Sequence, residues 1–229
     1  MKRWELLGAT SAPDGTDIRL TCRDGEYVIL ADGRPLMSSR LHGSEEALAT
    51  LGCSSARELA RPRVLVGGLG MGYTLSAVLD VLPSAAVVIV AELMPAVVQW
   101  NRELLASLAG SPLGDPRVRV EVADVGFTFR ANCGRFDAIL LDVDNGPAAF
   151  TVGVNAGLYD DSGVAAAYAA LTPGGTFAVW SAWEDQLFEE RLRDHGFAVD
   201  VARVRARQKK GEGGPRHTIF VARKGASPL

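Results

Sequence analysis

Several features that would assign this chain to a familiar functional class are scarce in its 229 residues. It has only three cysteines, Cys22, Cys53 and Cys133, and no two of them have the spacing of a metal site or a redox pair. We interpret them as ordinary thiols of a reducing cytoplasm. Its three histidines are equally isolated along the chain, so we expect no metal site.

Excess positive charge and long apolar runs are also missing. The net charge of −3 disfavours non-specific nucleic-acid binding, because such binding needs a basic surface. The most apolar stretch, AAVVIVA at 85–91, is too short to cross a bilayer, and no long apolar run follows the charges of the N-terminal MKRWELLGAT. Since 48% of the residues are hydrophobic, the chain has ample material for a core. We expect a cytoplasmic protein that binds neither nucleic acid nor a membrane.

The first sixty residues differ in pattern from the rest. The turn pairs Asp24-Gly25 and Asp32-Gly33 lie between short runs that alternate as strands do, which predicts an antiparallel meander. A helix is predicted over 43–51, with Ser44 as its N-cap and acidic residues in its first turn. We therefore assign residues 1–60 to a small β-meander followed by a helix.

From residue 61 to residue 224 strands and helices alternate. Apolar runs predict strands at 63–68, 86–92, 117–124, 136–142 and 176–182. Helices are predicted at 73–82, 95–109, 162–171 and 185–196, and a closing hairpin at 197–206 and 216–224. Such alternation is typical of an α/β domain with a doubly wound, mostly parallel sheet and helices on both faces. The tail, 225–229, is predicted to be disordered.

The loop after the first of these buried strands is rich in glycine. Gly68, Gly70 and Gly72 have the spacing G-x-G-x-G, between a strand and the start of a helix. Glycine lets a backbone pass close to a ligand, and the helix N terminus supplies free N–H groups. The spacing differs from the dinucleotide fingerprint, and tight strand–helix turns also use glycine, so the loop alone leaves its role open.

Three acidic residues end the next three strands in sequence. Glu92, Asp124 and Asp142 each follow a buried run. In a doubly wound sheet these strand ends meet at one edge, beside the glycine loop. Each could be a simple turn or cap residue, but their shared position predicts a crevice that binds a nucleoside.

These segments together resemble the spermidine synthases, which are aminopropyltransferases related to the class I methyltransferases. The resemblance lies in the glycine loop and in AELMPAVVQWNREL, DPRVRVEVAD, FDAILLD, GPAAF and LTPGGTFAV, and it extends more weakly to HGSEEAL. It implies a Rossmann-like, class I methyltransferase-like fold and a sulfonium co-substrate, either decarboxylated S-adenosylmethionine or S-adenosylmethionine. It also implies Glu92 on the ribose, and Asp124 with the Val125 backbone on the adenine. We further expect a small-molecule amine as substrate and a homodimer.

By the same resemblance Asp142 is the catalytic carboxylate. A carboxylate in a dry cleft can bind an ammonium, orient it and help to remove its proton. Asp144 would share a face with Asp142 if the strand continued, and could then hold a second ammonium. Alternatively, Asp144 and Asn145 cap a turn before Gly146-Pro147.

The chain also departs from the family. Met71 stands where spermidine synthases carry a loop aspartate for the amino end of the donor, and Gly43-Ser44 replaces a Tyr-His pair that helps to bind the acceptor. The loop after the catalytic strand is shorter. The nucleoside half is thus intact, whereas the amine half is altered. Aminopropyl transfer is the leading hypothesis, methyl transfer to a small molecule the second, and a non-catalytic nucleoside-binding protein the third.

Overall fold

The computed structural model describes residues 3–143, 146–147, 156–206 and 214–226. Asp144, predicted as a site residue, lies outside this set, as do the last three residues of the predicted tail. The strands are β1 (Glu5–Ser11), β2 (Asp17–Arg23), β3 (Glu26–Ala31), β4 (Arg34–Ser38), β5 (Arg63–Gly67), β6 (Val87–Glu92), β7 (Val118–Val122), β8 (Phe136–Leu141), β9 (Leu171–Ser181), β10 (Phe197–Arg205) and β11 (Arg216–Lys224). The helices are α1 (Gly43–Gly52), α2 (Tyr73–Val81), α3 (Pro95–Arg102), α4 (Val125–Arg130), α5 (Ala156–Tyr159), α6 (Asp161–Ala170) and α7 (Gln186–Asp194). No helix in the described ranges is long and apolar enough to span a membrane.

Seven strands form one large sheet in the order β10-β11-β9-β8-β5-β6-β7. The pairs β8/β9, β8/β5, β5/β6 and β6/β7 are parallel, whereas β11 runs antiparallel to both β9 and β10. β5, the first strand of this sheet in the sequence, is the middle one of the five parallel strands β9-β8-β5-β6-β7, and the chain winds to one side of it through β6 and β7 and to the other side through β8 and β9. This confirms the predicted doubly wound, mostly parallel α/β fold.

The central strands are buried on both faces, as their unbroken apolar runs predict. Leu65, Ile139 and Leu141 belong to one apolar cluster, which also contains residues of α4, α6 and α7. Val66 and Leu140 point to the other face and join a second cluster with residues of α1, α2 and α3. This alternation is the two-residue period of a strand, and it fixes which strand ends point into the crevice.

The N-terminal meander β1-β2-β3-β4 is an antiparallel sheet, as predicted. Its buried residues Ile18, Leu20 and Ile29 belong to the second cluster, so they share a core with one face of the large sheet. The approach is close at Gly8, where a Cβ would lie 2.6 Å from Nε1 of Trp100 on α3. The meander is therefore packed onto the α/β part of the chain.

Three local predictions were wrong. Helix α1 has His42 as its N-cap, and the Ser44 hydroxyl makes no cap hydrogen bond because it donates to Glu45 instead. Helix α3 ends at Arg102, seven residues earlier than predicted, since Glu103 leaves the helical region with φ −119° and ψ −81°. Helix α4 was not predicted, and it begins directly at the end of the third parallel strand.

Candidate functional site

The glycine loop lies directly against the end of the central strands. Gly68, Gly70 and Gly72 have φ values of 85°, 51° and 85°, a region that side chains other than glycine rarely adopt. A Cβ at Gly68 would lie 2.3 Å from the carbonyl oxygen of Asp142. Glycine is thus required here both by backbone conformation and by the close approach of β8.

Glu92, at the end of β6, is buried beside this loop. Its Oε2 accepts a hydrogen bond from the Leu69 N–H at 2.9 Å, and its Oε1 accepts one from the Met94 N–H at 2.9 Å. Burial raises the pKa of Glu92, while these backbone bonds act in the opposite direction. Each carboxylate oxygen has a second lone pair, so Glu92 can organise the loop and still accept a hydroxyl hydrogen bond.

Asp124 is the N-cap of α4. Its Oδ1 accepts a hydrogen bond from the Phe127 N–H at 2.9 Å. The next residue, Val125, is buried beside the end of β5, where a Cβ at Gly67 would lie 2.7 Å from its Cγ2. One oxygen of Asp124 therefore caps a helix, as one of the two interpretations of this residue predicts. The contact of Asp124 with adenine stays a prediction.

Asp142 directly follows β8 and is held from two sides. Its N–H donates to the Gly67 carbonyl at 2.8 Å, and its Oδ2 accepts a hydrogen bond from the Thr74 hydroxyl at 2.5 Å. Burial raises the pKa of Asp142 to about 6, against the smaller opposing effect of the Thr74 bond. Its carboxyl group therefore changes protonation close to neutral pH.

Another carboxylate beside Asp142 is Glu45, on the first turn of α1, which the sequence analysis did not identify as a site residue. It is 8% exposed, and its pKa is raised to about 7, first by burial and then by the charge of Asp142. Helix α1 packs closely on the sheet, because a Cβ at Gly52 would lie 2.9 Å from Cβ of Ala178 on β9. The only sequence signal for Glu45 is its place in HGSEEAL, which belongs to the family resemblance.

The meander and the start of α1 form a wall beside the glycine loop. The Met37 methyl group packs against Gly70, because a Cβ at Gly70 would lie only 2.6 Å from it. The His42 ring stacks on Tyr73 with centroids 4.2 Å apart, and the Tyr73 hydroxyl donates to the Ser39 carbonyl at 3.1 Å. The N-terminal segment thus contacts the middle of the loop at Gly70 and the start of α2 at Tyr73.

The Met71 side chain does not face the candidate site, although its position in the glycine loop suggests that it would. Its side chain is 1% exposed and belongs to the apolar core, together with Leu75 and Leu105. The charge of Asp142 acts on Glu45, so Glu45 is an additional acid beside Asp142 that the sequence analysis did not place there. Met71 is therefore a core residue.

The site brings together two carboxylates whose pKa values lie near neutrality. Such a pair favours binding of a cation, and either member can accept a proton at physiological pH. Within the described ranges, no group of three or more His, Cys, Asp or Glu side chains is arranged to hold a metal ion. These residues can therefore bind a cation and transfer a proton. They do so beside a glycine loop whose backbone a ligand can approach closely.

Comparison with known proteins gives a structural match only. No family model and no curated protein matches the sequence. The chain is similar to a spermidine synthase from Thermotoga maritima (TM-score 0.73, 20% identity, 98% of this chain and 74% of that one). It is also similar to a spermidine synthase in complex with the transition state analogue AdoDATO (0.75, 22%, 98% and 75%) and to a probable spermidine synthase from Corynebacterium glutamicum (0.65, 16%, 98% and 81%). The chain therefore has the fold of the spermidine synthases.

Proposed function

We propose that this protein is a spermidine-synthase-like transferase that moves an aminopropyl group from decarboxylated S-adenosylmethionine to a small amine. The observation that carries the proposal is the pair of carboxylates beside the glycine loop, buried Glu45 and half-buried Asp142. Both substrates of that reaction end in ammonium groups, and an ammonium in a dry pocket needs a carboxylate partner. A protein that only bound a nucleoside would have no use for two acids whose ionisation is disfavoured in this way.

The reaction follows from the two carboxylates. A free amine has a pKa near about 10, so it enters protonated and must lose a proton before it can attack. Asp142, the proposed catalytic carboxylate, orients the ammonium and accepts that proton, with Glu45 beside it as a second acceptor. The amine nitrogen then bonds to the carbon next to sulfur, the C–S bond breaks with its electrons going to sulfur, and methylthioadenosine leaves. Asp144, outside the described residues, is proposed to hold a second ammonium.

The nucleoside half of the donor is assigned to the strand ends. Gly68, Gly70 and Gly72 would let the loop backbone approach the donor closely. Glu92 would accept the ribose hydroxyls. Asp124 and the Val125 N–H would bind the adenine edge. The predicted homodimer would leave this assignment unchanged, because every residue in it comes from one chain.

Binding of methylthioadenosine is expected to depend on both strand-end acids. Glu92→Gln and Asp124→Ala should each weaken binding by roughly 1–3 kcal/mol, the usual scale for losing a hydrogen bond to a charged group. Calorimetric titration of each variant measures the effect. Glu92→Gln is preferred to alanine because the amide oxygen still accepts one of the loop N–H groups. Parent-like affinity in both variants would show that the nucleoside binds elsewhere.

Methyl transfer is the second candidate, because the loop acid that would hold the donor's ammonium is replaced by Met71, whose side chain lies in the core. The two functions separate when the protein is incubated with a panel of primary amines and each donor in turn. Mass spectrometry should show aminopropyl adducts from the decarboxylated donor. Methylated products from S-adenosylmethionine, with no aminopropyl adduct from either donor, would replace our proposal by the second candidate. Binding without any product would favour the non-catalytic hypothesis.

A further inference from the structure

A chain of hydrogen bonds leads from Glu45 to a histidine on the edge hairpin. Ser44 Oγ donates to Glu45 Oε2 at 2.6 Å, and the same oxygen lies 2.9 Å from Nδ1 of His217 on β11. Ser44 is fully buried, whereas His217 is half-buried. The Trp180 ring meets the His217 ring edge to face, with centroids 4.6 Å apart. The hydrogen bonds thus join Glu45 to a ring at the border of the core.

The single hydroxyl proton of Ser44 makes this chain directional. When Glu45 is ionised, Ser44 donates to it and must accept a hydrogen bond from Nδ1–H of His217. When Glu45 is protonated, its acid proton is donated to Ser44, Ser44 donates to Nδ1, and the neutral imidazole carries its proton on Nε2. The tautomer of His217 is therefore linked to the ionisation of Glu45.

We propose that Ser44 and His217 form a proton outlet for Glu45, through which the proton lost by the acceptor amine leaves the site. The outlet rests on the proposed function for the source of that proton. Protonated Glu45 passes its proton to Ser44 as Ser44 passes its own to Nδ1, and the resulting imidazolium releases Nε2–H to water. Glu45 is then ionised again, Ser44 keeps one proton, and His217 is neutral with its proton on Nδ1, so protons and charges balance.

The surroundings suit this role. Burial lowers the pKa of His217, so the ring is a neutral carrier at neutral pH and releases a proton readily. Asp142 and Glu46 act on Glu45, and Glu45 and Glu46 act on Tyr73 of α2. Arg205 and Arg216 face each other in the hairpin register beside His217, and both are exposed, so they act on the relay only weakly through solvent. Of the two acids that act on Glu45, Asp142 has the larger effect.

The linkage can be tested without turnover by ¹⁵N NMR of the histidine rings. Across an inflection near pH 7, where Glu45 titrates, the shifts of His217 should exchange: Nδ1 is of the N–H type when Glu45 is ionised and of the bare-nitrogen type when it is protonated, and Nε2 changes the opposite way. Simple ring protonation would instead bring both shifts to the same N–H type value. Ser44→Ala should abolish the exchange, with Ser44→Gly as the replacement if the alanine variant does not fold. Ser54→Ala is the matched control, since the Ser54 hydroxyl is buried without a hydrogen-bond partner among the described residues. Shifts that only converge in the parent, or an exchange that survives removal of the Ser44 hydroxyl, would overturn the relay.

Turnover then tests whether the outlet is used. Ser44→Ala and His217→Asn should each lower kcat about 10-fold or more, with little change in the KM of the nucleoside donor. The double variant should be no slower than the worse single one, because both remove the same path. His195→Asn, at the surface beside Asp161, is the control. Parent-like kcat in both single variants would refute the outlet. If no variant and no parent protein forms product while the NMR linkage holds, the proposed function fails and the linkage stands.

Discussion

Asp142→Asn is expected to lower turnover by about 10²–10⁴-fold, the range typical of a positioned acid–base group. Asparagine keeps the shape and can still accept the Thr74 hydrogen bond, but it cannot take a proton or pair with an ammonium. Methylthioadenosine should still bind, because the nucleoside contacts are assigned to other strands. Product formation by mass spectrometry and binding by calorimetry separate these two effects.

The same substitution should not destabilise the fold. The pKa of Asp142 is raised on folding from 3.8 to about 6, so the folded state favours the protonated acid, and this stability is lost as the pH rises through 6. At pH 8 the neutral asparagine should therefore have a melting temperature at or above that of the parent. Asp137→Asn is the matched control, because Asp137 lies on β8 but bonds to Arg63 and Thr172, and not to the site. Parent-like turnover of Asp142→Asn would eliminate the catalytic role.

The parallel sheet was predictable because its strands are short, continuous apolar runs. Residues such as Ile139, Leu140 and Leu141 must be buried on both faces, and few other structures satisfy that pattern. Helix α4 was not predictable from its own residues. Its sequence, VGFTFR, is only six residues long and rich in aromatic and β-branched side chains, which favour strands. Tertiary packing of Phe129 and the Asp124 cap determine the helix.

The site was predictable only where the topology alone brings residues together. Glu92 ends β6, Asp124 lies two residues after β7, and Asp142 directly follows β8, so the parallel strands bring all three to one edge of the sheet. The position of Glu45 does not follow from the strand order, because it depends on how α1 packs on the face of the sheet that also carries α2 and α3. In sequence, an acid in the first turn of a helix is typical of a favourable interaction with the helix dipole, and nothing local distinguishes a buried one.

Met71 shows how far a motif can mislead within a loop. Its position among the glycines suggests a residue that faces the ligand. The positive φ angles of Gly70 and Gly72 on either side set its direction, and they turn the side chain into the core. The direction of the side chain changes from one residue of such a loop to the next. A residue aligned with the family's loop aspartate therefore need not point in the same direction as that aspartate.

Because the Met71 side chain lies in the core, putting the family's loop acid back at this position should harm the protein and should not improve its function. Met71→Asp should not improve use of the decarboxylated donor. It should lower the free energy of unfolding by roughly 4 kcal/mol or more, because it removes a buried apolar side chain and adds an unpaired acid. For a chain of this length that corresponds to a fall in melting temperature of roughly 10 °C or more, measurable by calorimetry or circular dichroism.

Met71→Leu is the control, because a substitution that nearly conserves volume in a core usually costs less than about 1.5 kcal/mol. Its melting temperature and its nucleoside affinity should stay close to those of the parent. A stable Met71→Asp variant that also gained preference for the decarboxylated donor would show that the side chain at 71 reaches the ligand. In that case the family's loop acid could be restored directly at this position.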